Sequence, residues 1–172
     1  MLLNRSKLIR LIAFDVDGVM TDGGLFYSDS GEEFKCFNSL DGHGLKMLRA
    51  SGVVLAIITG RTSRCVEARA KNLGITHLYQ GIENKLEAMK DLLGKLDLPP
   101  DAAAYMGDDV VDLAVMRHVG LAISVPESPL LVRKHSHYVT QRSGGHGAVR
   151  EACEMIMSAQ GTLDAQLAPY LQ

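Results

Sequence analysis

Short apolar runs alternate with longer amphipathic stretches along most of the chain. The runs at residues 8–14, 53–59, 77–79, 102–106, 121–124 and 138–140 are mostly rich in branched or aromatic side chains and have the length of strands. Between them, helices are predicted at about residues 44–50, 63–73, 85–96, 110–117 and 148–159. Gly74 stands where a helix-ending glycine is expected. This alternation predicts an α/β fold: a doubly wound, mainly parallel sheet with helices on both faces. One stretch breaks the pattern. Leu25, Phe26 and Tyr27, the polar turn Ser28-Asp29-Ser30-Gly31 and then residues 32–37 predict an inserted β-hairpin at about 24–37. Its large apolar side chains either fold back on the core or cover a subunit contact.

A length of 172 residues fits one domain, 1–172, ending in a C-terminal helix and tail at about 148–172. The net charge of -2, from 18 basic and 20 acidic residues, leaves no excess to neutralise nucleic acid and no polybasic stretch for a membrane surface. No window approaches the ~20 apolar residues of a membrane span, and no signal-peptide core opens the chain, so the cytoplasm is the default location. Cys36, Cys65 and Cys153 are odd in number and lack Cys-x-x-Cys spacing; they are expected as buried thiols in a reducing compartment. The histidines show no metal-ligand spacing.

The segment Asp15-Val16-Asp17-Gly18-Val19-Met20-Thr21-Asp22-Gly23 directly follows the first predicted strand. Ligands of open α/β sheets bind outside the carboxyl ends of the strands, so Asp15 and Asp17 fall at the expected rim. Thr59-Gly60-Arg61 and Gly107-Asp108-Asp109-Val110-Val111-Asp112 end two further strands, and Lys85 opens a helix between them. Phosphoryl transfer needs such groups: a carboxylate to attack phosphorus, a second to protonate the leaving oxygen, and cations for the phosphoryl oxygens. Clustered carboxylates also demand a cation, since two like charges ~4 Å apart repel by roughly 4 kcal/mol at an effective dielectric of 20. An all-oxygen ligand set favours Mg2+ over zinc. A lone Asp-x-Asp-Gly is also an ordinary strand-ending turn, and Asp112 is the acidic residue that a helix's first turn favours. The convergence of separate segments outweighs the first alternative; for Asp112 the second is the stronger, which leaves it the task of orienting Lys85 or Asp109.

Asp15-Val16-Asp17-Gly18, Thr59, Lys85 and Gly107-Asp108-Asp109 together resemble the motif set of the haloacid dehalogenase superfamily of phosphohydrolases. Asp41-Gly42-His43-Gly44, Thr59-Gly60-Arg61, residues 74–81 and Gly144-Gly145-His146-Gly147-Ala148-Val149-Arg150-Glu151 extend the likeness over nearly the whole chain. They are similar to a capless subclass that dephosphorylates an acidic eight-carbon sugar 8-phosphate. That resemblance implies Asp15 as nucleophile and Asp17 as general acid, then base. It implies Mg2+ on the Asp15 carboxylate, the Asp17 backbone carbonyl and Asp108, with Thr59, Gly60 and Lys85 at the phosphoryl group and Asp109 and Asp112 in support. It further implies a homotetramer joined through the hairpin, a neighbouring subunit closing the site, and a place in lipopolysaccharide biosynthesis.

The planar fork of Arg61 or Arg69 suits the sugar carboxylate. Arg69 also fits the solvated face of the helix at 63–73. The glycine-rich stretch 143–147 either offers amides to an anion, in its own or a neighbouring site, or is a flexible connector. Three rivals share parts of the pattern. A receiver-type signalling domain carries its phosphorylated Asp on a later strand than its acidic pair, unlike Asp15 and Asp17. A silent binding or assembly module would lack catalytic groups that are all filled here. A phosphatase for a nine-carbon nonulosonate 9-phosphate differs only in substrate-side groups.

Overall fold

The computed structural model describes all 172 residues. Its strands are β1 (Leu11–Phe14), β2 (Phe26–Tyr27), β3 (Glu33–Phe34), β4 (Val54–Ile58), β5 (His77–Tyr79), β6 (Ala103–Met106), β7 (Leu121–Ser124) and β8 (Tyr138–Val139). Six form a parallel sheet in the order β5-β4-β1-β6-β7-β8, while β2 and β3 pair antiparallel as the separate predicted hairpin. The helices are α1 (Leu2–Lys7), α2 (Ser39–Ala50), α3 (Arg64–Leu73), α4 (Lys85–Leu96), α5 (Leu113–Met116), α6 (Leu130–Lys134), α7 (Ala148–Gln160) and α8 (Leu163–Leu167).

Alternation along the central strands splits the core in two. Ile12 and Phe14 of β1 join Leu45, Leu48, Ile57, Met106 and Ile156 on one face. Leu11 and Ala13 join Ile58, Met89, Leu92, Tyr105 and Val115 on the other. Parallel register puts Phe14 beside Ile57 and Met106, so the segments after β1, β4 and β6 leave the sheet at one edge.

Several boundaries depart from the sequence expectation. The apolar run at 8–14 yields a strand only from Leu11, because the chain first makes α1, anchored to α7 by the Gln160 amide donating to the carbonyls of Ser6 and Ile9. Helix α2 begins five residues earlier than expected, with the Asn38 side chain accepting from the N–H groups of Leu40 and Asp41. Gly42 and Gly44 argue against a helix there, yet each makes room for an arginine: a Cβ on Gly42 would lie 2.4 Å from the Arg69 guanidinium, and one on Gly44 2.7 Å from Arg150. The expected helix at 110–117 is a single 3-10 turn, Val110–Asp112, followed by the short α5. Helices α6 and α8, five residues each, are too short to show a helical period. The hairpin does not fold back on the core: Phe26, Tyr27 and Phe34 are more than half exposed. Cys153 is buried and Cys65 partly so, but Cys36 is exposed on the hairpin's outgoing arm, against the expectation of three buried thiols.

Candidate active site

Asp15 leaves β1 held in the sheet, its N–H donating to the Met106 carbonyl at 2.9 Å. Its carboxylate is fixed on both oxygens: Oδ1 accepts from the Val16 N–H at 2.7 Å, and Oδ2 lies 2.8 Å from Lys85 Nζ. Lys85 is the first residue of α4, and Asn84 caps that helix by accepting from the Glu87 N–H. The lysine side chain is buried between Asp15 and Asp112, whose Oδ1 is 2.6 Å from Nζ. Asp112 also receives the Tyr105 hydroxyl at 2.9 Å and, on Oδ2, the N–H groups of Asp108 and Asp109. It therefore orients Lys85 and the loop after β6 together, and its lone pairs are spent. Asp109 caps the turn that follows by accepting from the Val110 N–H.

The carboxylate oxygens of Asp15, Asp108 and Asp112 lie within 4.8 Å of one another. Burial, then the charges of Asp15, Asp112 and Asp109, push the Asp108 carboxyl up to about 7. Burial and Asp112 likewise raise Asp15 against the opposing pull of Lys85. Burial alone would lower the Lys85 ammonium, but Asp15 and Asp112 outweigh it and its pKa is raised. One ammonium cannot neutralise three carboxylates, so the cluster fits a further hard cation, with Asp15 and Asp108 as the side chains free to hold it. Gly18 closes over Asp108 at φ +89°, where any Cβ would collide with the carboxylate.

Asp17, Thr59, Gly60, Arg61 and Lys85 line a cleft of about 470 Å³ above these groups. The Asp17 carboxylate pairs with Lys35 Nζ at 2.5 Å, with Arg61 Nε at 3.8 Å. Arg61 in turn donates to the Tyr27 hydroxyl at 3.0 Å, which ties the cleft's rim to the hairpin.

This geometry meets a consistent set of relatives. No family model matches the chain. The 3-deoxy-D-manno-octulosonate 8-phosphate phosphatase of Escherichia coli K12 is 48% identical over 93% of this chain and 85% of its own length. The chain belongs to the 3-deoxy-D-manno-octulosonate 8-phosphate phosphatase family. The Moraxella catarrhalis enzyme, solved with magnesium, phosphate and 3-deoxy-D-manno-octulosonate (KDO), superposes at a TM-score of 0.97, with 46% identity over 98% of this chain and 97% of that one. The cobalt-bound Haemophilus influenzae enzyme superposes at 0.93, with 35% identity over 98% and 99%.

Among the candidates drawn from sequence, Arg69 stands apart from the cleft of this octulosonate phosphatase family member. Its guanidinium donates to the Asn38 carbonyl at 2.9 Å, lies over the Phe37 ring and borders a separate depression with Ser39, His43 and Lys46. It is neither the solvated helix charge nor, within one chain, a ligand of the Asp15 site; it fixes the entry into α2. The glycine stretch is no free connector either. Gly145 N–H donates to the Val19 carbonyl at 3.0 Å, and Gly144 packs so closely on Gly18 that a Cβ would lie 1.9 Å from its carbonyl oxygen. These glycines brace the loop after β1 from outside. Glu83 in the cleft's lining, Lys35 on Asp17 and Tyr27 on Arg61 were missed from sequence. A lysine two residues from a glutamate in a hairpin looks like a solvated pair, and no local pattern shows that it folds inward.

The Asp108 carboxyl gives the first prediction. In the metal-free protein its folded pKa of about 7 exceeds the ordinary 3.8. Its stabilising share is therefore full below about pH 4 and lost as pH rises through 7, on the order of 3 kcal/mol after allowance for partial solvent access. A bound cation reverses that loss. The rise in Tm on adding Mg2+ is expected to be small at pH 5.5 and large at pH 8. Asp108→Asn should raise the metal-free Tm at pH 8 and abolish the Mg2+ response. Equal shifts at both pH values in calorimetry would contradict the assignment.

Proposed function

We propose that the chain hydrolyses 3-deoxy-D-manno-octulosonate 8-phosphate to the free sugar acid and inorganic phosphate, as a step of lipopolysaccharide biosynthesis. The observation that carries this is the Asp15 carboxylate, clamped by Lys85 beside Asp108 at the strand ends, in a chain 46% identical to an enzyme solved with magnesium, phosphate and KDO. Asp15 attacks phosphorus, the bond to the sugar oxygen breaks, and Asp17 gives that oxygen its proton. Asp17 then takes a proton from water, which attacks the aspartyl phosphate, regenerates Asp15 and releases phosphate. Thr59, Gly60 and Lys85 bind the phosphoryl oxygens, and Arg61 meets the sugar carboxylate. The Asp15 and Asp108 carboxylates and the Asp17 carbonyl would hold Mg2+, which when bound supplies positive charge to the phosphoryl oxygens. Asp109 and Asp112 support this frame from behind.

The 172 residues act as one phosphohydrolase unit. The exposed Phe26, Tyr27 and Phe34 support assembly through the hairpin into a homotetramer, which light scattering of the purified protein checks by mass. No helix is long and apolar enough to cross a membrane. The three free thiols support a reducing compartment, the cytoplasm.

Inorganic phosphate release tests the proposal, measured on the octulosonate 8-phosphate beside a nonulosonate 9-phosphate and common sugar phosphates, with Mg2+ and with chelator. A Mg2+-dependent preference for the eight-carbon acid is expected. Preference for the nine-carbon acid, or even activity over the panel, would defeat the substrate; silence throughout would defeat the enzyme.

A further inference from the structure

The hairpin turns its aromatic side chains outward, yet the side chain of Lys35, the residue after β3, is only 1% exposed. Side chains alternate along extended backbone, so Glu33 and Lys35 share the face opposite Phe34. That face lies toward the cleft: Lys35 Nζ is 2.5 Å from Asp17 Oδ1 and 3.0 Å from Glu33 Oε1. The Cys65 thiol donates to the Glu33 carbonyl at 3.4 Å and ties the strand to α3. A lysine stem fixed in this way gives up most of its rotamer freedom, so a specific contact has to compensate. On the other carboxylate oxygen, Oδ2, the neighbouring cation is Arg61 Nε at 3.8 Å, beyond hydrogen-bond reach. Oδ2 is thus open to exchange a proton with the cleft.

We infer that Lys35 is a positioning residue for both proton transfers, holding the Asp17 carboxylate by Oδ1 so that Oδ2 serves the leaving oxygen and then the attacking water. This rests on the acid–base role proposed above for Asp17. The inserted hairpin is then part of the catalytic frame as well as an exposed surface.

Lys35→Met keeps the stem's bulk and removes its charge. In the Mg2+-loaded enzyme, kcat on the octulosonate 8-phosphate should fall about 10- to 100-fold, the scale of a misplaced catalytic group, with KM little changed. p-Nitrophenyl phosphate has a leaving group that departs without a proton. Its first-turnover burst should keep the wild-type rate, while steady-state release falls because water activation still needs Asp17. Glu33→Gln, which loosens Lys35 without removing it, should give the same split at smaller amplitude and carries the test if Lys35→Met folds poorly. Unchanged kcat, a change in KM alone, or equal loss on both substrates and in both phases would overturn the inference. Asp17→Asn separates the two ideas. If it also lacks the split, the acid–base role itself fails; if it alone shows the split, only the role of Lys35 does.

Discussion

Asp15→Asn is expected to lower kcat/KM on the octulosonate 8-phosphate by at least about 10⁴-fold, the scale seen when a nucleophile is removed while the rest of its site stays intact. The amide matches the carboxylate in shape, so the Val16 N–H at 2.7 Å keeps an acceptor and β1 keeps its register. What is lost is the anionic oxygen proposed to form the bond to phosphorus. The variant should fold well, because Lys85 retains Asp112 at 2.6 Å and one charge leaves a crowded acidic cluster. Acid quench of the wild-type enzyme during turnover should trap one phosphoryl group per chain on the peptide containing Asp15, and none on the variant, read by mass spectrometry. A variant that kept near-wild-type turnover, or a label on another residue, would remove Asp15 from the nucleophile's place.

Asp15, Thr59, Lys85 and Asp108 were legible in the sequence because each lies next to a strand end or helix start whose apolar signal is local. Parallel register then brings them to one rim without further information. Asp112 was legible only as a supporting residue. Its four donors come from Lys85, Tyr105 and two backbone amides, an arrangement that depends on how tightly the turn after β6 closes. Lys35 and Arg69 show the limit of local pattern. Both are basic residues on segments that look solvated, and each is drawn inward by a partner in another segment, Asp17 for the first and the Asn38 carbonyl for the second. Charge and spacing are properties of a segment, whereas the pairing of distant segments is set by packing. Gly42 and Gly44 carry the same lesson in reverse: glycine is a poor helix former, yet both lie inside α2, where Arg69 and Arg150 occupy the space a Cβ would need.

Lys85→Met tests whether that packing is electrostatic at its centre. Methionine fills nearly the same volume at the start of α4, so the change removes a charge more than a shape. Asp15, Asp108 and Asp112 then share a buried site with no ammonium, and leaving such charges unpaired typically costs about 3–5 kcal/mol. The raised pKa of Lys85 sets the sign: its contribution is fully present below the ordinary lysine value and lost only as pH rises through the higher folded one, so the whole deficit appears at pH 7. Acid should shrink the deficit, because Asp108, already near 7, and Asp15 take up protons more readily once the lysine is gone. Mg2+ should shrink it as well, since a divalent cation binds more strongly where carboxylate repulsion is least relieved. Calorimetry of wild type and variant, at pH 5.5 and 8 with and without Mg2+, therefore expects the largest Tm gap at pH 8 without metal and the smallest at pH 5.5 with it. Turnover should fall about 10²- to 10³-fold even at saturating Mg2+, because the donor proposed for the phosphoryl oxygens is missing. A gap that ignored both pH and metal would mean that Lys85 matters for packing alone.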